Sequence, residues 1–449
     1  MPVQYQIAGK TAREIATSVE AGVRTGRLSP GQPVPTIRDL AGELGVSPAT
    51  VAAAYRDLRS WGLVLGDGRR GTRVRGQPPV AGPAPPRLPP GVRNLASGNP
   101  DPALLPPIPA FGADPPALAP RQGARRSGNG RLYGEPAVHP HLRDLAAEQL
   151  AADGVDPMHL AVVSGALDGV ERALGAGLRP GELVAVEDPC YPPVLDLLAA
   201  MGLEPLPVPV DATGLRPEAL ARSLAAGATA VVATPRAQNP TGAAWTRRRA
   251  ADLTRVLRPF PDVLVVEDDH AGPIAGAPAH TLGRGRGRWA TVRSVCKSLG
   301  PDLRLAVLAG DPTTVARVEG RQALGPGWVS HVLQGLVADL WSDPATGPRL
   351  GAATTVYARR RLALLRALSG RGIPATGRSG LNVWVPVRSE HAAVAGLLEA
   401  GWGVAPGERF RLASPPGVRI SVGRLEPGEA GRLAADLAAC LGRRGARLA

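Results

Sequence analysis

The chain has few cysteines, few aromatic residues and almost no lysine. Its three cysteines, Cys190, Cys296 and Cys440, are too far apart for a metal-binding motif or a disulfide framework, so we expect a reducing compartment. No apolar run approaches the ~20 residues that cross a membrane, and the N-terminus has no signal-peptide pattern. These absences predict a cytoplasmic protein without a structural metal site.

Lysine accounts for two of the 52 basic residues, Lys10 and Lys297. Arginine cannot replace lysine in Schiff-base chemistry, because its guanidinium stays protonated and offers no free amine. A lysine that persists in a chain built almost wholly on arginine is therefore a candidate for chemistry that only an amine performs. We assign this role to Lys297, while chance is a sufficient explanation for Lys10.

Length and composition indicate a globular protein with more than one domain. The 449 residues exceed what a single hydrophobic core usually organises, and 44% of them are hydrophobic. The net charge of +14 favours nucleic acid or another anionic partner, although a general preference for arginine explains it equally well.

Changes in composition divide the chain into four parts. Residues 1–76 have helical patterns followed by a basic hairpin, and residues 77–91 are a proline-rich linker without acidic residues. Residues 92–347 alternate short apolar strands with helical patterns, which predicts a mostly parallel α/β sheet. Residues 348–449 begin with an arginine-rich helix and continue with strand patterns, so we assign them to a smaller α+β domain.

The order of elements in residues 1–76 predicts a winged helix-turn-helix. An amphipathic helix over 11–27 precedes a short helix capped by Thr36, a tight break at Gly45 and a third helix capped by Ser47. A basic hairpin follows. In this arrangement the third helix enters the major groove of double-stranded DNA.

The charge of this domain supports DNA binding, with 11 basic against 6 acidic residues, a net of +5. The exposed face of the third helix is rich in alanine, which favours readout through methyl contacts and DNA shape. Tyr55 either touches phosphate or packs in the core. The alternative to a DNA-binding domain is that residues 1–76 form a small helical interaction module. We expect contacts to phosphates and base edges from Arg38, Ser47, Thr50, Arg69, Arg70 and Arg73.

A second set of polar residues follows the ends of predicted strands in 92–347. A pyridoxal 5'-phosphate site needs an amine, a carboxylate for the ring nitrogen, a donor for the ring hydroxyl and amides for the phosphate. Lys297, Asp268 and Asn239 supply the first three. Gly165, Ala166 and Leu167 open a helix whose amides can bind phosphate, and further contacts are expected from Ser294, Arg304 and, by stacking on the ring, Tyr191. The carboxyl ends of such strands are where open α/β sheets bind ligands.

These motifs also carry a family resemblance. Residues 1–76 resemble the GntR-type DNA-binding domain, and residues 92–445 resemble a fold-type I aminotransferase. Together they resemble the MocR subfamily of GntR-type regulators, and the motifs "TPRAQNPTG", "EDDH" and "GPDLRLAV" resemble its vitamin B6-linked branch. The resemblance implies that Lys297 forms the Schiff base and that Tyr133 reaches the phosphate of the partner subunit in a homodimer. It also implies that Arg419 binds the carboxylate of a substrate or effector.

Three functions remain open at this point. The first is a transcription regulator that senses pyridoxal phosphate or an amino compound and controls vitamin B6 or amino-acid metabolism. The second is an active pyridoxal-phosphate-dependent aminotransferase with a DNA-binding domain, and the third is a regulator that has lost the cofactor and only dimerises. The DNA-binding domain favours the first, and Lys297 argues against the third. We expect little physiological turnover, because His270 stands where aminotransferases commonly have a tyrosine near the ring hydroxyl.

Overall fold

The structure is a computed structural model, and it describes residues 5–25, 27–29, 31–60, 63–66, 71–74, 88–108 and 132–442. Within these ranges no helix combines the length and apolar character that a membrane span requires. The same ranges contain no group of histidine, cysteine and acidic side chains arranged to hold a metal ion.

The N-terminal part folds as helices α1 (Ala12–Arg24), α2 (Ile37–Leu44) and α3 (Pro48–Ser60), followed by an antiparallel pair, β1 (Val64–Gly66) and β2 (Thr72–Val74). The predicted caps are present: the Thr36 side chain accepts from the backbone N–H of Asp39 at 3.2 Å, and Gly45 ends α2 with a φ of 64°. The helices enclose a core whose largest members are buried completely or nearly so, namely Ile15, Val19, Leu40, Val51, Tyr55 and Leu58.

The central part begins with β3 (Arg93–Asn94) and then alternates helices and strands. The elements up to the middle of this part are α4 (Pro140–Ala152), β4 (Leu160–Val163), α5 (Ala166–Gly177), β5 (Leu183–Asp188), α6 (Pro192–Ala200), β6 (Glu204–Asp211) and β7 (Gly214–Leu215). The elements that follow are α7 (Pro217–Ala225), β8 (Ala230–Ala233), α8 (Arg247–Leu257), β9 (Leu264–Asp269), β10 (Trp289–Ser294), β11 (Ala306–Gly310), α9 (Pro312–Ala323) and α10 (His331–Ser342).

Eight of these strands form one sheet in the order β4-β11-β10-β9-β8-β5-β6-β7. The run from β10 to β6 is parallel, while β11 is antiparallel to both of its neighbours. Helices α5, α6 and α9 contribute to the core on one face, and α4, α7, α8 and α10 to the core on the other. The mostly parallel sheet predicted from the sequence is confirmed.

Strand β6 was not identified from the sequence, because it contains three prolines at alternate positions, Pro205, Pro207 and Pro209. Its first residue, Glu204, donates its N–H to Glu182, on the side of β5, at 3.0 Å. Successive residues of a strand point their N–H groups to opposite sides, so residues two apart point to the same side. The prolines therefore occupy the positions that face away from β5, where a strand tolerates the loss of a donor.

The C-terminal part contains a second, smaller sheet. Its elements are α11 (Thr346–Ser369), β12 (Asn382–Pro386), α12 (Glu390–Glu399), β13 (Trp402–Gly403), β14 (Ala405–Pro406), β15 (Gly417–Ser421) and α13 (Ala430–Gly442). Strands β12, β15 and β14 pair antiparallel in that order. Val383 and Val385 on β12, with Val418 and Ile420 on β15, are fully buried in a core shared with α11, α12 and α13. Alternation places Asn382 and Arg419 on the opposite face of this sheet.

The boundary between the large and small domains, placed between residues 347 and 348 from the sequence, stays a prediction. One contact shows that a short segment near residue 93 packs with the small domain, although the prediction assigned it to the large one. Strand β3, which lies inside the range assigned to the large domain, pairs in parallel with β13 of the C-terminal part. The next residue, Leu95, is buried in the C-terminal core and donates its N–H to Gly403 at 2.8 Å. A two-residue strand is too short to have a recognisable sequence pattern.

Candidate functional site

A cavity of about 310 Å³ opens at the carboxyl ends of the parallel strands, where the large sheet meets the small one. Its walls are formed by the loops at the strand ends, by strands β12 and β15, and by residues 98–99. Ten residues proposed from the sequence line it together: Ala166, Leu167, Tyr191, Asn239, Asp268, His270, Ser294, Lys297, Arg304 and Arg419. Their roles toward a ligand stay predictions, and the contacts of each decide how well they fit.

Asp268 lies at the end of β9, and its side chain has an unsatisfied acceptor. Its Oδ1 is buried and has no hydrogen-bond partner within the described chain, while Oδ2 lies 3.9 Å from His270 Nδ1. Burial raises the pKa of Asp268 to about 7; the neighbouring Asp269 raises it further and Lys297 opposes this. A protonated ring nitrogen would supply the missing donor and favour the ionised carboxylate, so Asp268 fits the role predicted for it.

Lys297 faces Asp268 across the cavity, and its Nζ donates to the backbone carbonyl of Gly98. Burial lowers the pKa of Lys297 to about 8, and the nearby positive charge of Arg419 lowers it further. A larger fraction of this amine is therefore uncharged near neutral pH than for an exposed lysine. An uncharged amine is the form that attacks an aldehyde.

The other end of the cavity is suited to an anion. Gly165 precedes α5 with φ 99° and ψ 173°, a conformation essentially restricted to glycine, and the first two residues of the helix, Ala166 and Leu167, line the cavity. A Cβ at this position would lie 3.2 Å from Nη2 of Arg304, so the guanidinium lies directly against the glycine. Ser294 ends β10 and its Oγ accepts from the N–H of Cys296 at 3.2 Å. These groups fit the phosphate end of the predicted cofactor.

Arg419 and Asn239 contact each other directly. Arg419 Nη1 donates to Asn239 Oδ1 at 3.1 Å, Nη2 donates to the carbonyl of Ala96, and the guanidinium lies 5.1 Å from the ring centre of Phe410. Burial lowers the pKa of Arg419 to about 10, so it remains a cation at neutral pH. With its Oδ1 engaged by Arg419, Asn239 has its amide N–H groups oriented as donors, as a contact to a ring hydroxyl requires.

Tyr191 and His270 also line the cavity. Burial raises the pKa of Tyr191, with a further contribution from the negative charge of Asp268, so its phenol stays protonated. Burial lowers the pKa of His270 to about 4, and Lys297 lowers it further, so its imidazole is neutral at physiological pH. A neutral imidazole cannot supply the positive charge that would stabilise an ionised ring hydroxyl.

Tyr133 does not reach the cavity of its own chain. Its side chain is 93% exposed and packs edge-on against Trp328 with 5.5 Å between ring centres. The expectation that it contacts the phosphate of a partner subunit stays a prediction.

Sequence reasoning missed several residues of the lining, namely Gly98, Asn99, Cys296, Leu381 and Asn382. Asn382 could have been noticed, because it is a polar residue at the start of a strand whose next residues are buried valines. It is 5% exposed, and its Oδ1 is one of the buried acceptors without a partner in the ranges described. Gly98 and Asn99 lie beyond any periodic pattern, since only the folded chain brings them to the cavity.

A buried ion-pair cluster lies behind the cavity. Asp269 accepts from Arg236 through both of its oxygens, at 2.8 and 2.9 Å, and from Arg293 Nε at 2.8 Å. Both arginines also contact Asp153, at 3.0 and 2.7 Å. These positive charges hold the pKa of Asp269 well below its usual range. The cluster links the loop after β8, which carries Asn239, to the ends of β9 and β10, which carry Asp268 and Ser294, so it stabilises their relative positions.

The residues proposed to bind DNA are placed on the N-terminal domain as follows. Arg38 and Ser47 are exposed, and Ser47 Oγ accepts from the N–H of Thr50 at 3.1 Å, which caps α3. Arg73 lies on β2 and donates to the carbonyl of Gly31 at 2.9 Å. Arg69 and Arg70 lie outside the residues that the structure describes.

Tyr55 resolves the alternative left by the sequence. Its side chain is 1% exposed, and its hydroxyl donates to the carbonyl of Pro35 at 2.7 Å. It belongs to the core of the N-terminal domain.

Comparison with known proteins adds to this geometry. Two family models match the chain: "Bacterial regulatory proteins, gntR family" over residues 11–74 and "Aminotransferase class I and II" over residues 91–437. The second covers most of the chain and includes the entire cavity.

Among curated proteins, the chain is 40% identical over 442 residues to the vitamin B6 salvage pathway transcriptional repressor PtsJ of Salmonella typhimurium, covering 97% of this chain and 100% of that protein. It is 30% identical over 410 residues to the HTH-type transcriptional regulator TauR of Rhodobacter capsulatus, covering 83% of each. It is 29% identical over 269 residues to the HTH-type pyridoxine biosynthesis transcriptional regulator PdxR of Corynebacterium glutamicum, covering 57% and 55%.

Among solved structures, the chain resembles an archaeal alanine:glyoxylate aminotransferase with a TM-score of 0.68 at 20% identity, over 79% of this chain and 91% of that one. It resembles the kynurenine aminotransferase of Pyrococcus horikoshii with a TM-score of 0.69 at 20% identity, over 78% and 91%. At such identities the likeness concerns the fold alone, and it confirms the aminotransferase fold predicted from the sequence.

Proposed function

The chain belongs to the MocR-type regulators, which join a GntR-type DNA-binding domain to an aminotransferase class I and II domain, and on that premise we propose that it regulates transcription in response to pyridoxal phosphate bound beside Lys297. The observation that carries this proposal is that one cavity contains the half-buried amine of Lys297 and the buried carboxylate of Asp268, whose Oδ1 has no partner among the described residues. An aminotransferase by itself has no use for a DNA-binding domain.

Pyridoxal phosphate, when bound, supplies an aldehyde that condenses with amines and a pyridine ring that withdraws electrons. Lys297 provides the amine for attachment, and Asp268 accepts from the ring nitrogen and keeps its proton there. Asn239 donates to the ring hydroxyl. Asp268 lies at the end of β9, and Asn239 and Lys297 stand in the loops after β8 and β10, so the sheet holds them rigidly.

Further residues bind and shield the cofactor. The amides at Ala166 and Leu167, with Ser294 and Arg304, bind the phosphate, and Tyr191 covers the ring. Arg419 binds the carboxylate of an amino compound that enters the cavity. Burial of the Arg419 side chain keeps competing water away from these contacts, which strengthens them.

The regulated pathway is proposed from the relatives. PtsJ and PdxR carry vitamin B6 salvage and pyridoxine biosynthesis in their names. We propose that this chain also controls genes of vitamin B6 metabolism, with pyridoxal phosphate itself as the effector. A regulator needs ligand occupancy and no fast turnover, and the neutral His270 near the ring hydroxyl is consistent with slow chemistry.

We propose that DNA is bound by a homodimer. Large apolar residues are exposed next to Tyr133 in the sequence and on either side of Trp328, which Tyr133 contacts: Leu132 is 72%, Leu324 90% and Val332 67% exposed. Exposed apolar groups of this kind mark association surfaces. Sedimentation velocity measures the oligomeric state directly, and a monomer at micromolar concentration contradicts this part of the proposal.

Attachment of the cofactor is tested by spectroscopy. Protein mixed with pyridoxal phosphate should develop a visible absorption band, and borohydride should convert it into a stable adduct on the peptide that contains Lys297. Lys297→Ala should lose both band and adduct, whereas Lys10→Ala, the matched control, should keep them. A band that survives in Lys297→Ala rules out the assignment.

Regulation is tested by titrating DNA. The duplex is selected by the protein from a random-sequence library, and its affinity is measured with and without pyridoxal phosphate. Affinity should change with the cofactor in the wild type and should lose that response in Lys297→Ala while DNA binding remains. Identical affinities in the wild type with and without cofactor contradict the proposed function.

A further inference from the structure

Residues 88–99, the bridging segment, connect the linker to the cavity. Residues 75–87 precede this segment and join it to the DNA-binding domain in sequence. The first half of the segment is attached to the small domain: Arg93 donates its N–H to Gly401 at 2.9 Å, and Leu95 accepts from the N–H of Ser421 at 2.8 Å. The side chain of Leu88 packs directly against Gly403. The DNA-binding domain is therefore tethered to the small domain.

A side-chain contact strengthens this attachment. Arg93 Nη2 donates to Glu429 at 2.8 Å and to the carbonyl of Arg424 at 2.9 Å. Glu429 belongs to the short turn that leads into α13, so the contact joins the segment to the helical layer of the small domain.

The second half of the segment forms part of the cavity wall. Asn94 Oδ1 accepts from the N–H groups of Ala96 and Ser97, at 3.1 and 3.0 Å, and turns the chain toward the cavity. The Ala96 carbonyl accepts from Arg419, on the small domain, and the Gly98 carbonyl accepts from Lys297, on the large domain. The Ala96 and Gly98 carbonyls thus link the small domain to the large domain at the cavity.

We propose that the bridging segment transmits occupancy of the cavity to the DNA-binding domain, because a ligand that engages Lys297 withdraws this donor from the Gly98 carbonyl, and a ligand carboxylate that engages Arg419 withdraws it from the Ala96 carbonyl. This inference rests on the proposed function, and it names the route by which the cofactor acts. Loss of the Gly98 contact alone breaks the link between the two domains at the cavity. The small domain, together with the start of the bridging segment that is attached to it, then changes position relative to the large domain.

The chemistry at Lys297 gives the direction of the change. Condensation of the uncharged amine with an aldehyde forms a carbon–nitrogen double bond, and the aldehyde oxygen leaves as water with both amine hydrogens. After this reaction the Lys297 nitrogen carries at most one hydrogen, whereas the ammonium form of the side chain carries three. Its capacity to donate to Gly98 is therefore reduced or lost.

Arg419 responds to charge. Its Nη2 donates to a neutral carbonyl, and hydrogen bonds between ionised partners are roughly twice as strong as neutral ones. A carboxylate in the cavity therefore competes successfully with the Ala96 carbonyl. By linkage, DNA that favours one tether position must change ligand affinity by the same factor.

Arg93→Gln tests the route, because it weakens the attachment of the segment and leaves the cavity residues intact. In the wild type we expect pyridoxal phosphate to change DNA affinity by about 5-fold or more, as is typical of coupled sites. In Arg93→Gln the visible band should be unchanged, and the cofactor should change DNA affinity by a smaller factor than in the wild type, because the segment keeps only its backbone bonds to the small domain. Glu429→Gln should act in the same direction, and Arg366→Gln, at an exposed position of α11, should keep the wild-type response.

Hydrogen exchange provides a second readout on the full chain. Peptides covering residues 93–99 should exchange faster when pyridoxal phosphate is added to the wild type, and should not respond in Lys297→Ala. Unchanged or slower exchange while the visible band is present overturns the proposed route.

The outcomes also separate this route from the proposed function. A wild type without a visible band, or without any effect of cofactor on DNA binding, defeats the proposed function and this route together. A wild-type response that persists in full in both Arg93→Gln and Glu429→Gln defeats the route alone.

Discussion

Replacing Asp268 by asparagine should stabilise the protein at high pH when no cofactor is added. The residue is 6% exposed, and its Oδ1 has no hydrogen-bond donor within the described ranges. Ionising such a carboxylate is costly, and the pKa of Asp268 is accordingly raised from its ordinary value of 3.8 to about 7. Asparagine keeps the shape of the side chain and removes the charge.

The magnitude follows from linkage between proton binding and folding. A tenfold change in proton affinity corresponds to about 1.4 kcal/mol, so the raised pKa corresponds to about 4 kcal/mol. The folded chain binds the proton more tightly than the unfolded chain. The free energy of unfolding of the wild type therefore falls by up to about 4 kcal/mol as the pH rises from about 4 to about 7, and that of Asp268→Asn does not.

The assay is urea unfolding of both proteins across this range without cofactor. The difference in unfolding free energy should grow in favour of Asp268→Asn as the pH rises, by up to about 4 kcal/mol. Any loss of packing or hydrogen bonding in the variant is independent of pH and only offsets the curve. Asp144→Asn, at an exposed position of α4, should show no such growth. The reasoning is refuted if the difference for Asp268→Asn stays constant with pH.

The same substitution should weaken binding of pyridoxal phosphate, since asparagine cannot hold the proton on the ring nitrogen. Equilibrium titration of the visible band measures this affinity. Greater stability with poorer cofactor binding is the expected pattern for a residue retained for function.

Three further predictions concern other parts of the molecule. Arg38→Gln should reduce the salt dependence of DNA binding by about one unit of log–log slope for one lost phosphate contact, measured by titration at several salt concentrations; an unchanged slope removes Arg38 from the interface. Arg236→Met should lower the free energy of unfolding, measured with urea, by about 3–5 kcal/mol, because it leaves the buried Asp269 with fewer partners. The control is Arg248→Met: the Arg248 side chain is 93% exposed, and its replacement should lower the free energy of unfolding by less than about 1 kcal/mol. Tyr55→Phe should lower stability by about 0.5–1.5 kcal/mol, because it removes a hydrogen bond to the half-buried Pro35 carbonyl, and should leave DNA affinity per folded molecule unchanged; weaker DNA binding with unchanged stability contradicts its place in the core.

Several features of this protein follow from the sequence by itself. Capping residues and glycines act within one or two turns, so Thr36, Gly45 and Ser47 predict the helices of the DNA-binding domain correctly. Buried parallel strands appear as apolar runs, and ligand-binding residues follow their carboxyl ends, so Asn239, Asp268 and Lys297 could be expected to meet. The scarcity of lysine singles out one amine through composition alone, because arginine cannot perform its chemistry.

The tertiary structure decided what depends on contacts between distant segments. The prolines of β6 are compatible with a strand because of which side its neighbour occupies, and the sequence does not state that side. The role of Tyr55 depends on a carbonyl twenty residues away. The attachment of residues 93–95 to the small domain joins positions about three hundred residues apart. Local patterns report the preferences of neighbouring residues, whereas these arrangements are set by which surfaces bury each other when the chain folds.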